Sequence, residues 1–210
     1  MFITFEGLDF CGKSTQVKLL EDYFKKHNKK HKVIREPGGT QISEKIREIL
    51  LDKKNTEMFI ETELVLFSAS RAQLVREQII PLLRKNYYII ADRFHDSSIA
   101  YQGYGRGIPI NTVSMLQKFV ISDLVPHITF FIDIPIDEVL KRKAKLDNAR
   151  LDRIENSLDT FYHRVREGYI ELCKQNNRFR KINGLENIDK IHELIIQEIR
   201  LFSKNNQGKK

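Results

Sequence analysis

The stretch Gly7-Leu8-Asp9-Phe10-Cys11-Gly12-Lys13-Ser14 decides the fold expected for this 210-residue chain. It fits the pattern G-x-x-x-x-G-K-[ST], follows an apolar, β-prone run at residues 2–6 and opens a helical pattern over residues 13–26. The two glycines permit a tight backbone path, on which successive N–H groups converge on phosphate oxygens at the positive end of a helix. A strand, a glycine loop and a helix in this order predict a site for a nucleoside triphosphate.

The side chains of this loop have separate predicted tasks. Lys13 can reach the β and γ phosphates, while Ser14 offers a hydroxyl to Mg²⁺, which prefers hard oxygen ligands. The residues predicted to bind ATP from this loop are Gly7, Leu8, Asp9, Phe10, Cys11, Gly12, Lys13, Ser14 and Thr15. GTPases, ATPases and small-molecule kinases share such loops. No Asn-Lys-x-Asp segment for guanine follows the strand pattern at 128–134, which favours a kinase.

Strand-like and helix-like patterns alternate along the rest of the chain. Strands are predicted at 32–36, 87–91, 128–134 and 179–182, and helices at 41–51, 60–85, 97–104, 111–122, 136–146, 155–175 and 187–204. Pro81 is expected to kink or divide the long helix, because its ring removes a backbone donor. The alternation predicts an α/β fold of the P-loop NTPase class, with α/β/α layers around a five-stranded parallel sheet.

The composition, with 41% apolar residues, fits one domain, expected to span residues 1–205. A net charge of +8 would also suit a nucleic-acid-binding protein. Much of the excess lies at 25–32, 141–153 and 208–210, and the first and last of these contain no aromatic side chain on which bases could stack. We therefore expect no nucleic-acid partner, and a disordered basic tail at 206–210.

Two further expectations concern the charged stretch 141–153 and the location of the protein. The stretch interrupts a helical pattern, and we interpret it as a short helical lid. Two cysteines are too few for a disulfide framework, residues 1–6 lack a basic leader, and no apolar run approaches the roughly 18 residues that span a bilayer. A cytoplasmic protein without membrane contact is expected.

Three further segments, with the loop, carry a family resemblance. Phe-Glu-Gly-Leu-Asp at 5–9, Glu-Pro-Gly-Gly-Thr at 36–40 and Asp-Arg-Phe-His-Asp-Ser-Ser-Ile-Ala-Tyr-Gln at 92–102 resemble thymidylate kinases, whose signature D-R-x-x-x-S-x-x-A-Y-Q the last one matches. Leu-Asp-Arg-Ile-Glu at 151–155 extends the resemblance over most of the chain. The resemblance implies transfer of the ATP γ-phosphoryl group to dTMP, giving dTDP for dTTP biosynthesis, with Mg²⁺ as cofactor. It also implies a homodimer with helices like 60–83 at the contact.

The acceptor site is predicted partly from the residues and partly from the resemblance. Asp92 ends a buried strand, where a carboxylate can hold Mg²⁺ through water or support Arg93. Arg93 and Arg47 offer guanidinium forks that suit an acceptor phosphate, although a surface salt bridge is the alternative for each. Their motif positions favour phosphate binding.

The thymine contacts depend on the resemblance. Phe67 and Arg71 lie four residues apart on a predicted helix and share a face, but a core position is otherwise the commoner role for such a phenylalanine. The resemblance implies that both bind thymine and that Tyr101 favours deoxyribose. The residues predicted to bind dTMP are Glu36, Pro37, Arg47, Phe67, Arg71, Arg93, Ser97, Ser98, Tyr101 and Gln102.

The catalytic positive charge is expected from the lid. Phe10 is uncharged where some family members place an arginine, so the chain resembles members whose lid supplies it. Arg142, Arg150 and Arg153 are the candidates, and Arg142 is assigned to ATP binding. The predicted catalytic set is Lys13, Arg93, Arg150, Arg153 and Asp9, and the predicted metal ligands are Ser14, Asp92 and Asp9.

Two alternative functions remain open from the sequence. The first keeps the kinase and changes its acceptor to another deoxynucleotide, a nucleoside or a small metabolite. The second is a nucleotide-dependent switch or nucleic-acid-dependent ATPase, for which the net charge of +8 would be the footprint. ADP release with dTMP, dUMP, UMP, CMP, AMP and thymidine as acceptors tests the first alternative. Stimulation of ATP hydrolysis by DNA or RNA, without phosphate acceptance by dTMP, would favour the second.

Overall fold

The fold was analysed on a computed structural model that describes residues 1–145, 151–155 and 159–207. Its sheet consists of five parallel strands in the order β2-β3-β1-β4-β5. Their bounds are Phe2–Glu6 (β1), His31–Arg35 (β2), Tyr88–Asp92 (β3), Ile128–Asp133 (β4) and Phe179–Asn183 (β5). The predicted parallel sheet is confirmed, with β3 and β4 on either side of the central β1.

Helices connect the strands. They are Lys13–Lys26 (α1), Gln41–Leu51 (α2), Ile60–Leu74 (α3), Ile80–Arg84 (α4), His95–Ser98 (α5), Ile110–Ile121 (α6), Ile136–Lys143 (α7), Asp159–Gln175 (α8) and Ile188–Gln207 (α9), with π-helical segments at Val75–Ile79 and Ile99–Gly105. No helix of the described residues is long and apolar enough to cross a membrane.

The core lies on both faces of the sheet. Strand β3 alternates between them, since Ile89 and Ala91 belong to one buried cluster and Ile90 to the other. Helix α1 contributes Leu20 and Phe24 to the cluster that contains Ile90. Helices therefore cover the sheet on both sides, in the three layers that the sequence predicts.

The long helical pattern at 60–85 is divided as Pro81 predicts. The helix changes to π geometry over Val75–Ile79 and resumes as α4, where Pro81 occupies the second position. Proline has no N–H to donate to the preceding turn, and a local π adjustment accommodates the change in hydrogen bonding.

Three sequence expectations on helix ends were wrong. The helix predicted at 136–146 ends at Lys143. The helix predicted from residue 155 begins at Asp159, because residues 151–155 run without helix and end in a turn. Helix α9 reaches Gln207, so it takes in the start of the tail predicted at 206–210, and residues 208–210 lie outside the described part.

Every strand ends in a polar residue, and the parallel arrangement brings these ends to one edge of the sheet. They are Glu6, Arg35, Asp92, Asp133 and Asn183. The outermost strands, β2 and β5, also present the exposed side chains of Lys32 and Lys181. The carboxyl edge is where ligands bind in open α/β sheets, so it locates the candidate site.

Candidate active site

The loop between β1 and α1, residues 7–15, is here called the donor cradle. Its path requires left-handed backbone at Gly7 (φ 141°), Phe10 (φ 64°) and Gly12 (φ 99°). A Cβ on Gly7 would lie 2.6 Å from the carbonyl oxygen of Ile132, so glycine is required there for space as well as conformation. Phe10 adopts a conformation that is rare for a bulky residue, which marks the loop as constrained.

Lys13 points into the donor cradle. Its Nζ donates to the carbonyl oxygens of Gly7 (3.2 Å) and Leu8 (2.7 Å), and the residue is buried. The ammonium is thereby held inside the ring of backbone groups that follows Gly7. A positive charge at this position can neutralise phosphate oxygens bound by the backbone N–H groups.

Ser14 and Asp92 form the part of the site that fits Mg²⁺. The Ser14 hydroxyl donates to Asp92 Oδ2 at 2.8 Å, which joins the first turn of α1 to the end of β3. Both groups are hard oxygen donors, and Mg²⁺ takes few protein ligands when phosphates and water supply the rest. Accordingly, no group of three or more His, Cys, Asp or Glu side chains suited to a metal is found among the described residues.

The third predicted metal ligand, Asp9, lies with Arg93. Its Oδ1 accepts from the Arg93 guanidinium and its Oδ2 accepts from the Tyr101 hydroxyl at 3.0 Å. Burial alone would raise the pKa of Asp9, but the nearby charges of Arg93 and Lys13 outweigh it and hold the pKa below its ordinary value. Asp9 is therefore an ionised partner of the arginine.

Arg93 joins the two sides of the site. Its NH1 donates to the Gly7 carbonyl at 2.9 Å and to Ser97 Oγ at 3.2 Å, and its NH2 donates to the Tyr101 hydroxyl at 2.9 Å. The guanidinium carbon also lies 4.7 Å from the centre of the Tyr101 ring. Contacts on both sides hold the fork in one orientation next to the donor cradle.

Behind Arg93 lies a buried carboxylate, Glu6. It accepts from Phe94 N (2.8 Å), Ser97 Oγ (2.6 Å) and the Tyr169 hydroxyl (2.8 Å), and Tyr169 in turn lies 3.3 Å from Arg93 NH1. Burial, followed by the charge of Asp96, raises the pKa of Glu6 to about 7 despite these hydrogen bonds. The network connects the end of β1 to the arginine.

The far end of the site is organised around Arg71, which is 1% exposed. Its guanidinium donates to Glu36 Oε2 (2.6 Å), Ser98 Oγ (2.8 Å), Gln117 Oε1 (2.5 Å) and the Phe94 carbonyl (3.1 Å). The other oxygen, Glu36 Oε1, is buried and has no hydrogen-bond partner in the described part of the chain. Burial raises the pKa of Glu36 against the effect of Arg71. An oxygen of this kind is suited to a polar group of a ligand.

Asp9, Lys13, Arg71 and Arg93 line one pocket of about 470 Å³, whereas Glu6 and Tyr169 lie outside its lining. The predicted residues that line it are Asp9, Phe10, Gly12, Lys13, Ser14, Thr15, Glu36, Pro37, Arg47, Phe67, Arg71, Asp92, Arg93, Ser97, Ser98, Tyr101 and Gln102. Phe67 also packs against the core, so the helix face that it shares with Arg71 serves both packing and pocket. The part of the pocket away from the cradle, around Arg71 and Gln102, is here called the acceptor compartment.

The predicted lid arginines are placed differently from one another. Arg142 donates to the Phe10 carbonyl at 3.0 Å, beside the donor cradle, and Arg150 lies outside the described residues. Arg153 was expected to face the phosphates, but the structure turns its guanidinium to Glu63 (2.7 Å) and the Leu50 carbonyl (2.9 Å). A buried carboxylate attracts this arginine, so the structure does not support a catalytic role for it.

Sequence reasoning missed several residues of the pocket. They are Arg35, Leu51, Asp152, Ile154 and Glu155. Arg35 carried a signal, since it lies near the end of the strand predicted at 32–36 and directly before the Glu-Pro-Gly-Gly-Thr motif. No signal in the sequence pointed to Tyr169, because it reaches Glu6 from a helix 163 positions later in the chain.

A phosphate cradle that opens onto a second, arginine-bearing compartment within one pocket is the arrangement of an enzyme that phosphorylates another phosphate. The fold and the site together define a P-loop nucleoside monophosphate kinase.

Comparison with known proteins identifies the family. The Thymidylate kinase family model matches residues 5–195. The thymidylate kinase of Kosmotoga olearia is 49% identical over 205 residues, covering 97% of each chain, and that of Caldanaerobacter subterraneus subsp. tengcongensis is 44% identical, covering 97% of this chain and 96% of its own. The crystal structure of thymidylate kinase from Ehrlichia chaffeensis is similar, with a TM-score of 0.77, 36% identity and coverage of 95% of this chain and 98% of that one. The chain belongs to the thymidylate kinase family, as its motifs predict.

Proposed function

We propose that the protein transfers the γ-phosphoryl group of ATP to dTMP, giving ADP and dTDP, and so contributes to dTTP biosynthesis. One observation carries the proposal: the donor cradle and the acceptor compartment belong to a single pocket, with Arg93 in contact with both. An acceptor oxygen and the γ phosphorus can then meet without leaving the site.

The chemistry asks for alignment and neutralisation of charge. A nucleoside monophosphate is already largely ionised at neutral pH, so no protein nucleophile or strong base is required. Lys13 would stabilise charge on the β and γ phosphates, and the Arg93 fork would hold the acceptor phosphate, with Arg47 as its second arginine. Asp9 would keep Arg93 oriented rather than touch the metal.

Mg²⁺ is proposed as the cofactor, with Ser14 and Asp92 as the protein groups that would hold it. When bound, the ion neutralises part of the charge on the ATP phosphates. Arg142 is proposed to contact ATP, since it lies against the Phe10 carbonyl of the donor cradle. Arg150 stays the candidate for the transferred phosphoryl group.

The base would bind in the acceptor compartment. Phe67 is proposed to stack on thymine, while Arg71, Ser98 and Gln102 would supply its hydrogen bonds. Tyr101, which is held by Asp9 and Arg93, would pack where a ribose 2′-hydroxyl projects and so favour deoxyribose.

A homodimer is proposed through α3 and α6. These helices contact one another and carry large apolar side chains that are exposed: Phe59 precedes α3, Val65 is on α3, and Met115 and Phe119 are on α6, the last being 80% exposed. Apolar side chains grouped on adjacent helices are typical of an interface. Sedimentation of the Phe119→Lys variant should show monomer where the unchanged protein shows dimer.

We also propose a cytoplasmic location, in keeping with the free thiols of Cys11 and Cys173.

The function is tested by ADP release in a coupled assay with dTMP, dUMP, UMP, CMP, AMP and thymidine, each with and without Mg²⁺. The highest kcat/KM is expected with dTMP, and none of the activity should survive removal of the metal. Preference for another acceptor, or ATP hydrolysis that DNA or RNA stimulates while dTMP is not phosphorylated, would contradict the proposal.

A further inference from the structure

Glu63, a buried carboxylate in the first turn of α3, has no part in the chemistry described above. It is 1% exposed and lies one turn before Phe67 on the same helix. Its two oxygens accept from Gln102 Nε2 (2.9 Å), from Arg106 Nε and NH2 (3.1 Å each) and from Arg153 NH2 (2.7 Å). Four donor atoms, three of them on the two arginines, converge on a carboxylate beside the acceptor compartment.

The two arginines keep Glu63 ionised. Burial alone would raise its pKa, but the hydrogen bonds and charge of Arg106, with Gln102 and Arg153, outweigh burial and lower the pKa. Arg106 is fixed in turn by the Phe161 ring, 4.4 Å from its guanidinium, and Arg153 by the Leu50 carbonyl. An ionised carboxylate accepts hydrogen bonds and donates none.

Because Glu63 can only accept hydrogen bonds, it determines the orientation of the Gln102 side-chain amide. The end of a glutamine amide that faces a carboxylate must be the NH2 group, because its oxygen would meet another acceptor there. One hydrogen of Nε2 is committed to Glu63, which leaves Oε1 and the second hydrogen for the acceptor compartment that Gln102 lines. The pocket is therefore offered one acceptor next to one donor.

That pair is complementary to an imide edge. Thymine and uracil present an N3–H donor beside a carbonyl oxygen, whereas cytosine presents an acceptor at N3. On its own, an acceptor beside a donor also matches the amino group and N3 of cytosine, so the discrimination needs a fixed register of the base. Arg71, which lines the same pocket and only donates, supplies it: with the guanidinium facing the 4-position carbonyl, Gln102 Oε1 faces N3, where an imide base donates and cytosine presents an acceptor. Leaving buried polar groups unpaired in this way costs more than losing an apolar contact.

We propose that Glu63 is a specificity-determining positioning residue, which fixes the Gln102 amide so that its oxygen accepts the imide N–H of the acceptor base. The inference rests on the proposed function and adds a reason for choosing an imide base over cytosine. In this role Arg153 and Arg106 hold Glu63, and Glu63 acts on the base through Gln102.

The main experiment compares kcat/KM for dTMP and dCMP in the wild type, Glu63→Gln and the control Glu61→Gln, whose residue is exposed two positions earlier on the same helix. A glutamine at 63 can donate as well as accept, so the Gln102 amide is free to turn. We expect Glu63→Gln to narrow the ratio of kcat/KM for dTMP to kcat/KM for dCMP at least about tenfold, mainly through a higher KM for dTMP. The Glu61→Gln variant should keep the wild-type ratio. An equal loss for both acceptors, with the ratio preserved, would mean a purely structural role and overturn the inference.

Two further arms complete the test. In a Gln102→Leu background, adding Glu63→Gln should leave the ratio of kcat/KM for dTMP and dCMP unchanged, since the amide that Glu63 orients is gone. A further change in this ratio would contradict the mechanism.

The second arm does not depend on how any variant folds. NMR of the wild type with dTMP should show a scalar coupling across the hydrogen bond from N3 of the base to Cδ of Gln102. A coupling from Gln102 Nε2 to a carbonyl carbon of the base, with none from N3 to Cδ, would overturn the inference. A wild type that fails to phosphorylate dTMP would instead contradict the proposed function.

Discussion

The donor cradle and the acceptor compartment lie in one pocket but are built in different ways. The cradle is a single loop whose form depends on backbone geometry, as the space around Gly7 and the φ angle of Gly12 demonstrate. The compartment is assembled from side chains of separate elements, and Arg71 alone binds groups contributed by three other parts of the chain. We infer that changes in the compartment affect both folding and acceptor binding, whereas side-chain changes in the cradle affect mainly the rate.

The largest effect is expected from Arg71→Met, in the compartment. Removing the guanidinium leaves the buried Glu36 carboxylate without its charged partner, which costs on the order of 3 to 5 kcal/mol of unfolding free energy. Urea unfolding of the wild type and of Arg71→Met measures this difference in free energy. The double variant Arg71→Met with Glu36→Gln should recover part of the loss. Equal stability of the wild type and Arg71→Met would break the proposed contrast between the two regions.

Lys13→Ala is the corresponding change in the cradle. Loss of one preorganised positive charge at the transferred phosphates should lower kcat about 10²- to 10³-fold. Affinity for dTMP, measured by calorimetry, should change little, because the acceptor compartment is untouched. Wild-type turnover in this variant would contradict the role of the lysine, and a large loss of dTMP affinity would contradict the separation of the two regions.

Arg93→Lys tests the residue that touches both regions. Lysine keeps the charge but not the fork that contacts Gly7 and Tyr101 together, so a loss of kcat of roughly 10- to 100-fold is expected, with a higher KM for dTMP. Arg84→Lys, at an exposed position, is the matched control and should behave as the wild type. If KM alone rises and kcat is retained, Arg93 binds substrate without contributing to the transfer step.

The smallest effect concerns Glu6, which lies where the two regions meet. Its folded-state pKa of about 7 exceeds the ordinary value of 4.5, so the folded protein binds the proton more tightly than the unfolded chain. The contribution of protonated Glu6 to the free energy of unfolding is complete below pH 4.5 and is lost as the pH rises through 7. Between pH 6 and pH 8 the wild type should lose about 1 kcal/mol of unfolding free energy that Glu6→Gln retains.

Urea unfolding at several pH values checks this prediction. The exposed Glu48→Gln variant should keep the pH dependence of the wild type. Parallel curves for the wild type and Glu6→Gln would show that the Glu6 carboxyl does not titrate in this range.

The two regions also differ in how well the sequence predicts them. The cradle is contiguous, so its pattern, the strand before it and the helix after it could all be predicted from residues 2–26. The central strands β1, β3 and β4 were predictable for a related reason, since strands covered on both faces require apolar runs. The ends of α8 and α9 were not predicted correctly, because side-chain periodicity does not mark where backbone hydrogen bonding starts or stops. The pattern begins at 155, before α8, and stops at 204, before the end of α9.

In the compartment, the motifs supplied the residues but not their partners. Arg153 lies in the matching segment at 151–155, yet its guanidinium binds Glu63, 90 positions away in the chain. Glu6 and Asp9 were visible in the motif, while Tyr169 and Arg93, which form hydrogen bonds with them, approach from other elements. Pairings of this kind depend on tertiary packing, which local periodicity does not encode.

The two outer strands bear on behaviour at high concentration. An open sheet offers unpaired backbone groups along each outermost strand, and these can recruit a strand from another molecule into an aggregate. Lys32 on β2 and Lys181 on β5 place a long, exposed side chain near each border, and the Lys181 ammonium also pairs with Asp133 on β4 at 3.0 Å. Joining two such borders would force lysines together and strip them of water, so part of the net charge of +8 works as a safeguard against fibrous assembly.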